Sequence, residues 1–157
     1  MNENLKILLI ANTSNFFRNF MLNHIKKLSK KYEVIVCCKN VGELKKITPR
    51  SVKLKEINFK RGFNLIYDIL ALFNILFFLL KKKPQLSISF TPKIGLMVAL
   101  ASFISGTPNR IHWFTGQIWA TKKGLTKIFF KLIDKLIFFL SHSVLVDGLS
   151  QQSFLIK

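Results

Sequence analysis

Short apolar runs alternate with longer stretches of helical period along the whole chain. Residues 5 to 10 (Leu-Lys-Ile-Leu-Leu-Ile) and 34 to 38 (Val-Ile-Val-Cys-Cys) are nearly continuous hydrophobic runs of strand length. That is the pattern of central parallel strands covered on both faces. Residues 52 to 57 (Val-Lys-Leu-Lys-Glu-Ile) alternate instead, predicting a strand nearer the sheet edge with Lys53 and Lys55 toward water. Further short strands are predicted at 86 to 90, 110 to 114 and 143 to 146, with helices at about 16 to 30, 64 to 82, 93 to 105 and 125 to 141 and a short helix or turn near 42 to 48. Strands interleaved with helices, without a Gly/Ser linker or an internal repeat, specify an α/β fold. The expectation is a doubly wound, Rossmann-like parallel sheet of about six strands with flanking helices, a single domain over residues 1 to 157. Ser150 stands where it could cap a further helix that has barely begun when the chain stops, so the ending looks like a truncation.

In such a sheet, ligands bind beyond the carboxyl ends of the strands, at the crevice where strand order reverses. Ala11-Asn12-Thr13-Ser14-Asn15-Phe16-Phe17-Arg18 follows the first strand, Thr91-Pro92-Lys93-Ile94-Gly95 the fourth, and Thr115-Gly116-Gln117-Ile118-Trp119-Ala120-Thr121-Lys122-Lys123-Gly124 the fifth. All three turns fall on one rim. Thr is a good helix N-cap and Pro is favoured at the first helical position, so Thr91-Pro92-Lys93 reads as a helix start with a cation in its first turn. That arrangement is either an anion site or a capped helix whose Lys93 is solvated. Trp119 could stack on a sugar face or pack down onto the core. His112, alone within a strand, reads as a hydrogen-bonded core residue more readily than a catalytic one.

The adjacent Cys37 and Cys38 sit inside an apolar run, where geometry disfavours a mutual bridge, and read as reduced core thiols of a cytosolic protein. At 157 residues and 50% hydrophobic, the chain can bury a sizeable core without disulfides or a structural metal. The amino terminus carries no secretory signal pattern. Residues 63 to 80 raise the question of a membrane span, but Asp68 in the second turn leaves too short an uncharged run. A buried or membrane-grazing helix is the expectation.

The carboxylates are Glu3, Glu33, Glu43, Glu56, Asp68, Asp134 and Asp147, no two of them close in sequence. This disfavours hydrolytic carboxylate pairs, and no Asp-x-Asp is present to hold a divalent ion on a diphosphate. No His/Cys/Asp/Glu cluster has metal spacing, so no metal site is expected. The seven glycines form neither G-x-G-x-x-G nor a P-loop, and a nucleophile elbow is missing too.

Charge narrows the partners. With 25 Lys+Arg against 7 Asp+Glu, the net charge of +18 attracts polyanions. Lys127, Lys131 and Lys135 recur every four residues beside a broad Phe/Leu face, the composition of an interfacial helix, or else of a core helix with one solvated stripe. Three apolar-plus-basic helices favour an anionic membrane surface as partner. Nucleic acid is disfavoured: Lys and Phe dominate, Arg18, Arg50, Arg61 and Arg110 are the arginines, and no nucleic-acid-binding motif is present.

Ser89-Phe90-Thr91-Pro92-Lys93-Ile94-Gly95-Leu96, Arg110-Ile111-His112-Trp113-Phe114-Thr115-Gly116-Gln117-Ile118-Trp119-Ala120-Thr121-Lys122-Lys123-Gly124, and the segment from Asp147 to Ile156 closely resemble, in this order, the amino-terminal half of bacterial family 4 glycosyltransferases of the capsule and O-antigen type. The resemblance runs along essentially the whole chain, although Gly148-Leu149 stands where relatives tend to have Ser-Pro. It implies one half of a GT-B fold, the half that mainly holds the acceptor. The nucleotide sugar, a co-substrate rather than a cofactor, would be held by a second domain, and a two-domain enzyme needs roughly twice this length. The resemblance further implies a retaining transfer without a metal on the diphosphate, and a lipid-linked saccharide as acceptor. A separately encoded donor domain is an expected partner, and this chain alone is expected to be inactive. Asn12, Thr13, Ser14, Asn15, Thr91, Lys93, Gly95, Thr115, Gly116, Gln117, Trp119, Lys122 and Lys123 would line the acceptor side. Lys127, Lys131 and Lys135 would meet the inner face of the cell membrane from the cytoplasm. The rival readings are a non-enzymatic basic module bound to the membrane surface and, less favoured, a nucleic-acid-binding protein.

Overall fold

The structure is a computed structural model that describes residues 5–58 and 64–156. Residues 1–4, the segment 59–63 with Arg61 and Phe63, and Lys157 lie outside the described residues. The strands are β1 (Lys6–Thr13), β2 (Glu33–Lys39), β3 (Lys53–Glu56), β4 (Leu86–Phe90), β5 (Asn109–Phe114) and β6 (Ser143–Val146). They form one parallel sheet in the order β3-β2-β1-β4-β5-β6, so the order reverses between β1 and β4. The two continuous apolar runs supply the central strands because both of their faces are covered. Ile7, Leu9 and Ala11 enter one core layer and Leu8 and Ile10 the other. The same alternation sends Cys37 and Cys38 to opposite faces, both free and buried. Burial holds the Cys37 thiol far above its usual range and pushes the Cys38 thiol up to about 12, so both are unreactive. At the β3 edge, Lys53 and Lys55 are exposed, and Lys53 pairs with Glu33 at 2.8 Å.

Helices α3 (Leu65–Lys82), α4 (Pro92–Ile104) and α5 (Gly124–Leu140) lie side by side on one face. The opposite face carries α1 (Ser14–Phe16), a π-helical turn (Phe17–Met21) and α2 (Leu22–Leu28), where a single helix over about 16 to 30 is expected from the sequence. Phe17, Met21 and Ile25 bury the inner side of this segment against β1 and β2. At the start of α3, the Asn64 side chain accepts from Tyr67 N–H, and the Asp68 carboxylate accepts from Asn64 N–H at 3.1 Å, a reciprocal cap. Lys83 in the left-handed conformation (φ 48°), followed by Pro84, ends it. Ala71, Ile75 and Leu79 are its buried stripe. Among the described residues no helix is long and apolar enough to cross a membrane. The last helix, α6 (Leu149–Ile156), begins two residues earlier than a Ser150 cap would place it. Ser150 therefore lies inside its first turn. Gln151 does the local bridging instead, accepting from Asp147 N–H at 2.7 Å and donating to the Phe114 carbonyl at 3.1 Å.

Candidate functional site

Register brings the predicted turns to one end of the sheet. Ile10 pairs with Ser89, Phe90 with Trp113 and Phe114 with Val146, so the carboxyl ends of β1, β4, β5 and β6 form one rim beside the switch point. Asn12, Thr91 and Gln117 all stand on that rim.

The α4 start departs from its sequence reading. Pro92 occupies the first helical position and Thr91 the N-cap, but the Thr91 backbone is left-handed (φ 66°) and its side chain makes no capping bond. An N-cap side chain reaches the helix amides from an extended backbone, which this φ removes. Positive φ on a β-branched residue costs about 1–3 kcal/mol and collects at functional sites. Lys93 is not solvated, and its charge is shared within the fold. Its ammonium lies 2.7 Å from Asp68 Oδ1, with both side chains largely buried. The carboxylate that interrupts the long apolar stretch thus ties the amino terminus of α3 to that of α4.

Gly95 is a packing residue. A Cβ there would strike His112 Cε1 and fall 2.7 Å from its Nδ1. His112 is fully buried, its Nδ1 is 2.8 Å from Ser89 Oγ, and the Phe114 ring stands edge-on at 4.5 Å. Burial pushes its pKa down to about 4, so it is neutral near pH 7. Three buried polar atoms have no hydrogen-bond partner among the described residues: Thr91 Oγ1, His112 Nε2 and Gln117 Nε2. Each forfeits about 1–3 kcal/mol unless something meets it.

The segment after β1 is not a loop. Asn12 and Thr13 continue the strand past a register irregularity, and Ser14 and Asn15 open α1. Ser14 is buried and donates to Glu43 Oε2 at 2.7 Å, while exposed Asn15 accepts from Arg18 at 2.8 Å. Thr115 and Gly116 are exposed, and Gly116 takes φ 140°, a turn that suits glycine. Lys122 and Lys123 are exposed just before α5.

Trp119 packs down and is only 5% exposed. Its N–H donates to Asp134 Oδ2 at 2.8 Å, Phe154 stacks on it at 4.6 Å and 8°, and the Lys131 ammonium sits 4.6 Å from the ring centre. No free ring face remains for a sugar. Burial pushes the Asp134 pKa up to about 6, partly opposed by the indole bond. The contact also takes Lys131 out of the exposed stripe, leaving Lys127 and Lys135 in solvent. The expected Lys127, Lys131 and Lys135 row is therefore not uniform, because one cation pairs with a π face inside the fold.

Sequence reasoning did not single out Phe20, Trp113 or Asp147, which with Phe16 face a cavity on the same rim. Trp113 N–H donates to Asp147 Oδ1 at 2.8 Å. These two are 34 residues apart and meet only because β5 and β6 are neighbours.

No protein-family model matches the chain. It is 29% identical over 108 residues to the capsular polysaccharide biosynthesis glycosyltransferase CapM of Staphylococcus aureus, a match spanning 62% of this chain and 28% of that relative. In structure it resembles a Listeria monocytogenes protein assigned as a UDP-N-acetylglucosamine 2-epimerase (TM-score 0.72, 12% identity, 98% of this chain, 41% of that one). It also resembles MurG of Acinetobacter baumannii (TM-score 0.62, 11% identity, 91% and 41%). Those two likenesses establish the fold, and a fold by itself does not choose a reaction. Beside the sequence shared with a capsular glycosyltransferase, they make this chain similar to a Rossmann-like part of GT-B-type enzymes, and it spans less than half the length of each of these relatives.

Proposed function

We propose that the chain is the acceptor-binding half of a retaining glycosyltransferase that moves a sugar from a nucleotide sugar to a lipid-linked saccharide during capsule or O-antigen synthesis. The observation that carries this reading is the rim itself: Thr91 Oγ1 and Gln117 Nε2, buried and unpartnered beside a strained N-cap, are polar atoms held ready for a ligand. The name of the S. aureus relative supports the capsular context. Asn12, Thr91, Thr115 and Gln117 would meet the acceptor. Lys93 would contribute only part of its charge to a phosphate, since Asp68 shares it. The nucleotide sugar would be held by a second domain, in the same or a separately encoded chain, without which transfer fails.

A peripheral position at the inner membrane face has its own support. The α3–α5 layer exposes Leu65, Phe77, Ile104, Leu125, Phe138 and Phe139, each more than half accessible, beside Lys81, Lys127 and Lys135.

The test is titration of the chain with a purified lipid-linked saccharide. Thr91→Ala and Gln117→Ala should each weaken binding about tenfold, as expected when one polar contact is lost. Unchanged affinity in both variants would refute the assignment of these two residues.

A further inference from the structure

The π-helical turn and the ends of β5 and β6 border an open cavity of about 310 Å³ lined by Phe16, Phe20, Met21, Trp113, Thr115 and Asp147. We propose that this cavity seats one pyranose ring of the acceptor. The proposal rests on the acceptor-binding reading above and fixes where on the rim the saccharide lies.

Three features select a sugar. The aromatic walls Phe16, Phe20 and Trp113 are linked: Phe16 lies 5.5 Å from Phe20, and the fully buried Phe90 behind them lies 4.9 Å from Phe16 and 5.9 Å from Trp113. Phe20 is 68% exposed, an apolar ring held toward solvent at the mouth. Such faces accept the C–H side of a pyranose. Second, the polar groups suit hydroxyls. Asp147 Oδ1 orients the Trp113 indole at 2.8 Å, and an ionised carboxylate only accepts hydrogen bonds, so it pairs with sugar O–H donors, as does the Thr115 hydroxyl beside it. A phosphate would meet the same sign of charge. A prenyl tail would desolvate the carboxylate and return no donor. Third, the volume is at the lower end for ligand sites, suited to one ring rather than a nucleotide. The backbone agrees, since the turn presenting Phe20 and Met21 is π-helical, a departure from α geometry frequent at functional sites.

The experiment is saturation-transfer NMR on the full 157-residue chain with methyl glycosides (neutral hexosides, 2-acetamido hexosides, uronides) and, separately, farnesol and inorganic pyrophosphate. Phe20→Ala and Asp147→Asn are the variants, both at exposed positions, with a dispersed amide spectrum as the check on folding. At least one glycoside should receive saturation on its ring protons. Each variant should weaken that binding about five- to tenfold, the loss expected for one aromatic face or one hydrogen bond. Glycoside binding that survives both variants overturns the cavity assignment and leaves the acceptor reading standing. So does binding of a lipid-linked saccharide when no glycoside binds. Farnesol or pyrophosphate binding that depends on Phe20 or Asp147, with glycosides silent, overturns it in favour of another ligand. If neither glycosides nor a lipid-linked saccharide bind, both readings fall.

Discussion

Gly95→Ala tests the packing at the heart of the rim. The added methyl would meet a ring that cannot retreat: His112 is fully buried, tied to Ser89 at 2.8 Å and backed by Phe114 at 4.5 Å. Overpacking of this kind costs about 1–3 kcal/mol. Displacing the ring also strains the Ser89 bond, worth about 0.5–1.5 kcal/mol. Alanine's better helix propensity returns about 1 kcal/mol, so the net expected loss is about 2 kcal/mol. Urea unfolding followed by circular dichroism should show a lower midpoint with an unchanged slope, and the melting temperature should fall by roughly 4–8 °C. The decisive measurement repeats the substitution in a His112→Ala background. With the ring gone the clash vanishes, and Gly95→Ala should now stabilise by up to about 1 kcal/mol, a reversal of sign that no general helix effect produces. An equal effect of Gly95→Ala in both backgrounds would refute this account.

Other outcomes follow from the same contacts. His112, ordinarily near 6.5 and pushed down to about 4 in the fold, contributes stability that is complete above pH 6.5 and lost as pH falls toward 4, up to about 3 kcal/mol; its ring-proton NMR shift should stay that of neutral imidazole at pH 5, and a midpoint near 6.5 would contradict its burial. Asp134 works in the opposite sense: raised from 3.8 to about 6, it favours the fold below pH 3.8 and loses that contribution as pH rises through 6. The stability of Asp134→Asn relative to wild type should therefore grow from pH 4 to pH 7, whereas a pH-independent difference would exclude this titration. Lys93→Ala should destabilise more than Lys93→Ala combined with Asp68→Asn, with a coupling above about 1 kcal/mol, because the single change strands a largely buried carboxylate; additive effects in the double-mutant cycle would argue against the ion pair. Co-sedimentation with anionic vesicles should drop several-fold when Phe138 and Phe139, 63% and 81% exposed, become serine. Equal pelleting would count against docking through α5.

The sequence by itself determined the layer order and the central strands, because two-sided burial writes continuous apolar runs and amphipathic crossovers separate them. It also determined which three turns meet at one rim, since parallel strands all end on the same side. The opposed faces of Cys37 and Cys38 follow from strand alternation alone. What it did not determine is how side chains far apart in sequence satisfy one another. Asp68 looks from sequence like a flaw in an apolar helix, and only α3 against α4 makes it the partner of Lys93. Trp119 reads equally well as a sugar platform or a core residue until Asp134, Phe154 and Lys131 close around it. The Trp113–Asp147 pair depends on β6 lying beside β5, and the positive φ of Thr91 on how the chain turns from β4 into α4. Periodicity is a local property that each segment carries with it. Hydrogen bonds, ion pairs and cavities depend on neighbours that come together only when the sheet is wound, so tertiary structure alone decided which buried rim atoms are left without a partner among the described residues.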